Sequence, residues 1–334
     1  MAVAAQTDAP VRVAQEPAPV EVTEPAPGVF ASAWARTWSD RSACGSPGVR
    51  PGRRCGWGDA GVTVPWNLYR ASGDRQVLEQ SFPAMRAWPD YLEKHSTGYL
   101  RPAEGYGDWL NVSDETPKDV VATACFARSA DLVARAARAL GEDPRPYETL
   151  SARVREAFAE AYVSADGRIK GDTQTAYVPA LSFGLLPEDG GVRRAAADRL
   201  VELIEGRDRH LSAGFLGTPL LLPVLTAVGR TDVAHRLLHR RTFPSWGYQI
   251  DRGATTMGER WDSIRPDGGF QDPSMNSFNH YAYGSVGEWM YRDITGISPG
   301  APGFSHIVVR PRPGGEVRAA AGRYDSVYGP IGTR

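Results

Sequence analysis

The sequence predicts an all-α protein built from stacked helical hairpins. Apolar residues recur at helical spacing through most of the chain between residues 57 and 296. About nine helical stretches follow one another with short polar links, a pattern typical of paired antiparallel helices. The chain contains neither a heptad seam nor a repeat of fixed length, which disfavours the regular solenoids. A closed α/α toroid, whose loops converge on a central pocket at one end, is therefore preferred over an open solenoid.

Capping signals define two long helices in this region. Thr116 is the expected N-cap of a helix over residues 117–140, and Gly141 is its expected stop. A second amphipathic helix, over residues 144–163, follows an Asp-Pro pair. We predict further helices at residues 59–72, 74–95, 173–185, 191–205, 215–228, 231–240 and 277–293.

Both ends of the chain differ from the helical region. The first thirty residues are rich in Ala, Pro, Val and Glu and suit an extended segment, whereas residues 31–55 have no apolar period and suggest an unstructured stretch. In the tail, "HIVVRPRP" and "VRAAAGRYDSVYG" predict two strands. An unpaired edge strand would expose backbone groups, so we expect further chain beyond them. The predicted organisation is an irregular N-terminal segment (1–55), a helical domain (56–297) and the start of a C-terminal β domain (298–334).

Composition excludes several classes of function. The 38 basic and 39 acidic residues nearly cancel, so neither nucleic acid nor an anionic membrane is an expected partner. Cys44, Cys55 and Cys125 have no metal-ligand spacing, and we predict neither a disulfide framework nor a metal site. Because the chain has no signal-peptide pattern and no stretch long and apolar enough to span a bilayer, we expect a cytoplasmic protein.

The loops carry a carboxylate and aromatic residues that suit glycoside hydrolysis. That reaction needs two carboxyl groups flanking the scissile bond, together with apolar faces and hydrogen bonds that hold the sugar. Glu259 is the best candidate for a catalytic carboxylate, because Met257 and Trp261 should partly desolvate it. The alternative is that Glu259 pairs with an arginine and only holds its loop, and the residues do not decide between the two.

Several polar and aromatic residues are candidates for holding a sugar. The nine Trp residues are many for this length, although any single Trp is more often a packing residue. His280 begins the last predicted helix, where it would donate to a sugar hydroxyl or cap a neighbouring backbone group. Asp59 would either bind the sugar or act as the N-cap of the first helix. The predicted substrate-binding residues are Trp57, Asp59, Asp108, Trp109, Trp261 and His280.

Five short motifs together resemble the catalytic domain of bacterial α-L-rhamnosidases, glycoside hydrolase family 78. They are "GWGDAG", "GYGDWL", "DTQTAYVPALSFGLLP", "GATTMGERWDS" and "NSFNHYAYG", in this order. The resemblance implies an (α/α)6 toroid, inverting hydrolysis of terminal α-L-rhamnose from rhamnose-containing glycosides, and no obligatory cofactor. The family's general base resembles Glu259, its sugar-binding histidine resembles His280, and a stacking tryptophan resembles Trp109.

The sequence departs from the family where the general acid is expected. In the family this acid precedes a Trp and Asp pair like Trp57 and Asp59, but here that stretch reads "GVRPGRRC" and carries no carboxylate. We therefore expect an incomplete toroid without an assignable acid and with uncertain activity. We hypothesise that residues 31–55 are an out-of-frame translation bridging a deletion, which the coding DNA would test. The alternatives are another (α/α)6 glycosidase or lyase, and a non-catalytic carbohydrate-binding remnant.

Overall fold

The computed structural model describes residues 56–187 and 191–334, and the predicted segment 1–55 lies outside them. The fold is mostly helical, as predicted. None of the helices in these two ranges combines the length and apolarity that a membrane span requires. The α-helices of the described ranges are α1 (Ala60–Ser72), α2 (Arg75–Lys94), α3 (Lys118–Leu140), α4 (Arg145–Tyr162), α5 (Gln174–Ser182), α6 (Val192–Glu205), α7 (Thr218–Ala227), α8 (Thr231–Leu238), α9 (Trp246–Asp251) and α10 (Val286–Trp289).

From α2 to α8, inner and outer helices alternate along the chain, whereas α1 buries only Val62. In α5 every residue from Gln174 to Leu181 is buried, because small and apolar side chains occupy all of its faces. Helices α3 and α7 are also buried on most sides, whereas α2, α4, α6 and α8 bury one stripe and expose the other. This alternation is what a toroid of helical hairpins requires, since only the inner helices have neighbours on both sides.

Most helix ends lie within a few residues of the predicted ones, with three exceptions. Thr116 does not cap α3, because its hydroxyl bonds to the Thr173 hydroxyl (2.6 Å) and Pro117 takes the N-cap position. The predicted helix 277–293 is wrong in its first part, because Ser277–His280 pairs with another loop and helical turns begin only at Tyr283. Helix α9 was not predicted, since its six residues are too short to show a period.

The predicted C-terminal strands are present and find partners within the chain. Strand β1 (Ile297–Pro299) pairs antiparallel with β2 (Ile307–Val309), and β3 (Gly322–Ser326) pairs with β4 (Gly329–Thr333). Each predicted segment thus has one antiparallel partner, and within the described residues each two-stranded sheet leaves one edge of every strand unpaired, as expected of edge strands. The turn Pro302–Phe304 packs against α1 and anchors this β element to the first described helix.

Three inner helices begin at the same end of the molecule. The loops that enter α3, α5 and α7 are joined there by hydrogen bonds, including Val112 N to Ser212 O (2.9 Å) and Gln174 Nε2 to His210 O (3.0 Å). We call this end, formed by residues 106–117, 172–175 and 210–218, the rim.

The carboxylate of Asp108 is the centre of the rim. It is 2% exposed and accepts four hydrogen bonds. One oxygen accepts from Thr175 Oγ1 (2.6 Å) and Gly214 N (2.7 Å), and the other accepts from Leu216 N (2.8 Å) and Gly217 N (3.1 Å). Burial raises the pKa of Asp108, and these four donors oppose the rise by stabilising the ionised form. One side chain thus ties its own loop to the starts of α5 and α7.

The close approach of these loops requires glycine at position 214. A Cβ added to Gly214 would lie 2.2 Å from Trp109 O and 2.8 Å from Asp108 O. These neighbours are backbone atoms, so a side chain here would push the two loops apart and break the bonds to Asp108.

We predict that Asp108→Asn lowers the free energy of unfolding by about 2–4 kcal/mol, because either amide orientation sets its NH2 against a backbone N–H. Urea unfolding followed by circular dichroism measures the change. Asp198→Asn is the matched control, since that side chain is 60% exposed and should change stability by less than about 0.5 kcal/mol. Equal stability of the Asp108 variant and the control would contradict the central role of this carboxylate.

Candidate active site

Glu259 lies on one of two loop segments that run antiparallel to each other and are joined by backbone hydrogen bonds. The backbone N–H of Glu259 donates to Ser277 O (2.7 Å), and that of His280 donates to Met257 O (2.9 Å). The side chain is half-buried, and its Oε2 accepts from Ser277 N (3.0 Å). Glu259 is therefore fixed through both its backbone and one carboxylate oxygen.

The described residues do not support the alternative of an arginine pair for Glu259. Within residues 56–187 and 191–334, no Lys or Arg nitrogen lies within 4.0 Å of its carboxylate. Its neighbour Arg260 pairs instead with Asp262 (2.9 Å), which also accepts from Gln271 Nε2 (2.7 Å). The second oxygen of Glu259, Oε1, accepts no hydrogen bond from the described residues and remains able to bind a proton donor.

His280 lies opposite Met257 on the partner segment and precedes the helical turns. Its ring packs against Phe215, with 4.8 Å between the ring centroids. The backbone N–H of Ala282 donates to Nδ1 (3.3 Å), which assigns the proton of the neutral ring to Nε2. His280 therefore caps the neighbouring backbone N–H of Ala282 with Nδ1, as one of its two predicted roles requires, and its Nε2–H is left as the donor that the other role would use.

An aromatic row lies on the rim. The rings of Trp57 and Tyr106 are 4.9 Å apart between centroids, and those of Tyr106 and Trp109 are 5.1 Å apart, both in edge-to-face geometry. Trp57 is 38% exposed and Trp109 is half-buried. The two predicted stacking residues are thus linked by a third ring, Tyr106, that the sequence reasoning missed.

Residues 212–217 bring the aromatic row and the Glu259 loops together. Phe215 donates its N–H to Trp109 O (2.9 Å), while its ring faces His280 on the other side. Tyr283 adds a second link, because its hydroxyl donates to Leu110 O (3.0 Å). Burial raises the pKa of Tyr283, and the nearby Asp108 carboxylate raises it further, so this hydroxyl stays protonated as a donor.

The geometry assigns three predicted substrate-binding residues to the scaffold. Trp261 is 2% exposed, stacks on Tyr283 (4.0 Å between centroids) and donates its indole N–H to Ala213 O (3.2 Å). Its ring therefore packs beneath the site instead of facing a ligand. The sequence predicts Trp261 as a substrate-binding residue of a loop, but this loop folds over the core and buries the indole ring.

Asp59 and Asp108 are corrected in the same way. Asp59 is buried and accepts from Trp88 Nε1 (2.8 Å), Ser129 Oγ (2.6 Å) and Gly56 N (2.9 Å). Asp59 occupies the N-cap position of α1 but does not cap it with its side chain. Since internal donors surround both carboxylates, they hold helices and loops together rather than contacting a sugar directly.

The sequence reasoning missed Phe215 because it was assigned to the start of a helix. The structure starts α7 at Thr218 and leaves Phe215 in the connecting loop. A signal was available, since Gly214 and Gly217 flank this residue and paired glycines before a helix often mark a close backbone approach.

Glu259, His280, Trp109 and Phe215 are the candidate residues for contact with a neutral, ring-shaped ligand. They offer one accessible carboxylate oxygen on Glu259, one imidazole donor on His280 and apolar faces on Trp109 and Phe215. A carboxylate with a free oxygen can take a proton from water, and aromatic faces can stack on the C–H face of a sugar.

Comparison with known proteins identifies the family to which the chain is similar. A sequence model of the bacterial α-L-rhamnosidase six-hairpin glycosidase domain matches residues 28–294, and one of the bacterial α-L-rhamnosidase C-terminal domain matches residues 296–334. An α-L-rhamnosidase of Streptomyces avermitilis is 68% identical over 279 residues, which cover 84% of this chain and 27% of that protein. An α-L-rhamnosidase of Alteromonas sp. is 40% identical over 290 residues, or 83% of this chain and 31% of that protein.

Two solved structures extend the comparison. The crystal structure of the Streptomyces avermitilis α-L-rhamnosidase complexed with L-rhamnose has a TM-score of 0.87 and 61% identity, over 91% of this chain and 30% of that one. The native α-L-rhamnosidase of Aspergillus terreus has a TM-score of 0.84 and 32% identity, over 91% of this chain and 38% of that one. The chain thus spans about a third or less of the curated relatives it matches, and it belongs to the bacterial α-L-rhamnosidase six-hairpin glycosidase family.

Proposed function

We propose that this chain hydrolyses terminal α-L-rhamnose from rhamnose-containing glycosides, with inversion at the anomeric carbon. The observation that carries the proposal is the position of Glu259, whose Oε2 is held by Ser277 on the segment that also carries His280 and whose Oε1 accepts no hydrogen bond from the described residues. The proposal also draws on the family, because one relative of similar fold has been solved with L-rhamnose bound.

In this proposal Glu259 is the general base. Its ionised Oε1 accepts a proton from a water molecule as that water attacks the anomeric carbon, while Ser277 N–H holds Oε2 in place. An inverting glycosidase needs room for this water, so its two carboxyl groups lie roughly 6.5–9.5 Å apart. The leaving oxygen also needs a proton, which the second carboxyl supplies in such enzymes; internal donors hold Asp59 and Asp108, so no described residue is assigned to that step.

The remaining residues would hold the sugar ring. Nε2–H of His280 is placed to donate to a ring hydroxyl, and the packing of Phe215 against the imidazole restricts its rotation. Trp109 would stack on the less polar face of the sugar, since its position is fixed through the hydrogen bond from Phe215 to its carbonyl. Rhamnose suits such a site because its 6-deoxy methyl group enlarges the apolar face.

A second candidate function is carbohydrate binding without turnover. It is favoured by the internal hydrogen bonding of Asp59 and Asp108, which removes the two other carboxylates that the sequence placed at the sugar. Isothermal titration with L-rhamnose, alongside hydrolysis of an aryl α-L-rhamnoside, separates the two functions. Turnover supports the hydrolase, and saturable binding without turnover supports the second candidate.

We predict that Glu259→Gln lowers kcat for an aryl α-L-rhamnoside by about 10²–10⁴-fold, because an amide cannot accept the proton of the attacking water. L-Rhamnose affinity should change by less than about threefold, since the amide oxygen can still accept from Ser277 N–H. Glu93→Gln is the matched control, because Glu93 is exposed on the outer helix α2. Unchanged turnover in the Glu259 variant would refute its role.

We predict that His280→Ala weakens L-rhamnose binding by about 5–15-fold through loss of one hydrogen bond. Titration calorimetry measures the dissociation constant, and His306→Ala in the exposed part of the β element should leave it unchanged. Wild-type affinity in the His280 variant would show that this ring has only a structural role.

We predict that Trp109→Ala weakens L-rhamnose binding by about tenfold and that Trp109→Phe retains most of it, because the phenyl ring keeps an apolar face. Tyr328→Ala is the control, since Tyr328 is 69% exposed and far along the chain in the β element. Equal binding by the alanine and phenylalanine variants would contradict stacking at this position.

A further inference from the structure

A cavity of about 410 Å³ lies at the end of the helices opposite the rim. Its walls come from the C-terminal ends of α5 and α7, the start of α6, and strands β1 and β2. The rim meets the first turns of α5 and α7 at Thr175 and Gly217, whereas the cavity meets their last residues at Ser182 and Ala227. With a rise of about 1.5 Å per residue, this cavity is roughly one helix length from the rim and is separate from the Glu259 site.

Four arginines line the cavity, and among the described residues only Arg292 forms an ion pair. Arg292 pairs with Asp293 (2.9 Å) and with Glu288 (3.1 Å). Arg193, Arg310 and Arg312 have no carboxylate within 4.0 Å in the described part of the chain. Within residues 56–187 and 191–334 the cavity therefore contains three arginines without an ion-pair partner, in a chain whose net charge is −1.

Two of these arginines are held by backbone carbonyl groups at helix ends. Arg193 Nη1 donates to Leu181 O (3.1 Å) in the last turn of α5, and Arg312 Nη1 donates to Thr226 O (3.2 Å) in the last turn of α7. Such bonds satisfy carbonyls that have no partner within the helix and offset the negative end of the helix dipole. A guanidinium has five N–H donors, so most donors of Arg193 and Arg312 remain for another acceptor.

The third arginine is the least constrained. Arg310 directly follows β2 and is exposed, and no hydrogen bond involves its side chain in the described residues. Its charge is therefore available at the mouth of the cavity. Asp293, the one acidic residue in the lining among the residues that the structure describes, is buried and bound by Arg292, so it does not cancel that charge.

We propose that this cavity binds a small molecule bearing an oxyanion, either a phosphate or a carboxylate. Planar guanidinium groups bind such oxygens in pairs, and three of them around one cavity favour a ligand with two or three charged oxygens. The volume exceeds that of a single phosphate ion and suits a group of monosaccharide size. The site does not depend on the proposed hydrolase function, because none of its lining residues belongs to the rim or the Glu259 loops.

Titration calorimetry on the full chain tests the site with inorganic phosphate and with D-glucuronate, each at an ionic strength matched with sodium chloride. We expect saturable binding of at least one of them, weakened tenfold or more in the double variant Arg193→Gln, Arg310→Gln. Binding of phosphate alone assigns the site to phosphate groups, and binding of glucuronate alone assigns it to carboxylates.

Arg194→Gln is the matched control, because this neighbour of Arg193 on α6 has an 88% exposed side chain and does not line the cavity. It should bind like the wild type. Thermal unfolding of each variant without ligand verifies that the fold is retained, and Arg310→Gln alone serves if the double variant unfolds. The proposal is overturned if neither anion gives saturable heat, or if a folded variant lacking these arginines binds as tightly as the control.

Discussion

The four hydrogen bonds accepted by the buried carboxylate of Asp108 are the constraint on which the rest of the site depends. They join the 106–112 loop to the first turn of α5 and to the backbone that leads into α7. A buried charge is tolerated only when donors surround it, so the three segments must stay together for the chain to fold. Through Trp109 and Phe215, which flank these bonds, the same contact determines where the aromatic row meets the Glu259 loops.

The site is divided between a rigid base and an accessible face. Trp261, Tyr283 and Asp108 are buried, and their polar atoms are bound internally, so they supply position rather than chemistry. Glu259 and His280 lie on the two antiparallel loops above them, and each keeps one polar atom directed to neither backbone nor core. Tight packing beneath and free donors and acceptors above are what a binding site for a neutral sugar requires.

The two ends of the inner helices differ in charge. At the N-terminal end, the carboxylates of Asp108 and Asp114 accept backbone N–H groups near the helix starts, while at the C-terminal end arginines donate to carbonyls in the last turns of α5 and α7. Both arrangements follow from the helix dipole, which attracts negative charge to one end and positive charge to the other. Arg193 and Arg312 are enough to bind the two helix ends, and the cavity also contains Arg310. This additional positive charge suggests an anionic ligand.

The sequence alone determined the helical-hairpin fold and most helix ends, because apolar periods and capping residues such as Gly141 act within a few residues of each other. It also identified Glu259, His280 and Trp109 as candidates through short motifs. Only the tertiary structure decided which loop residues face outward. The sequence predicts Trp261 and Asp59 as ligand contacts, but segments distant in sequence cover both side chains. Phe215 was assigned to a predicted helix, whereas the hydrogen bond from Leu216 N to Asp108 places this stretch of backbone in the rim. Burial of a loop side chain depends on contacts between segments far apart in sequence, here 29, 48 and 108 residues, and a local pattern carries no information about them.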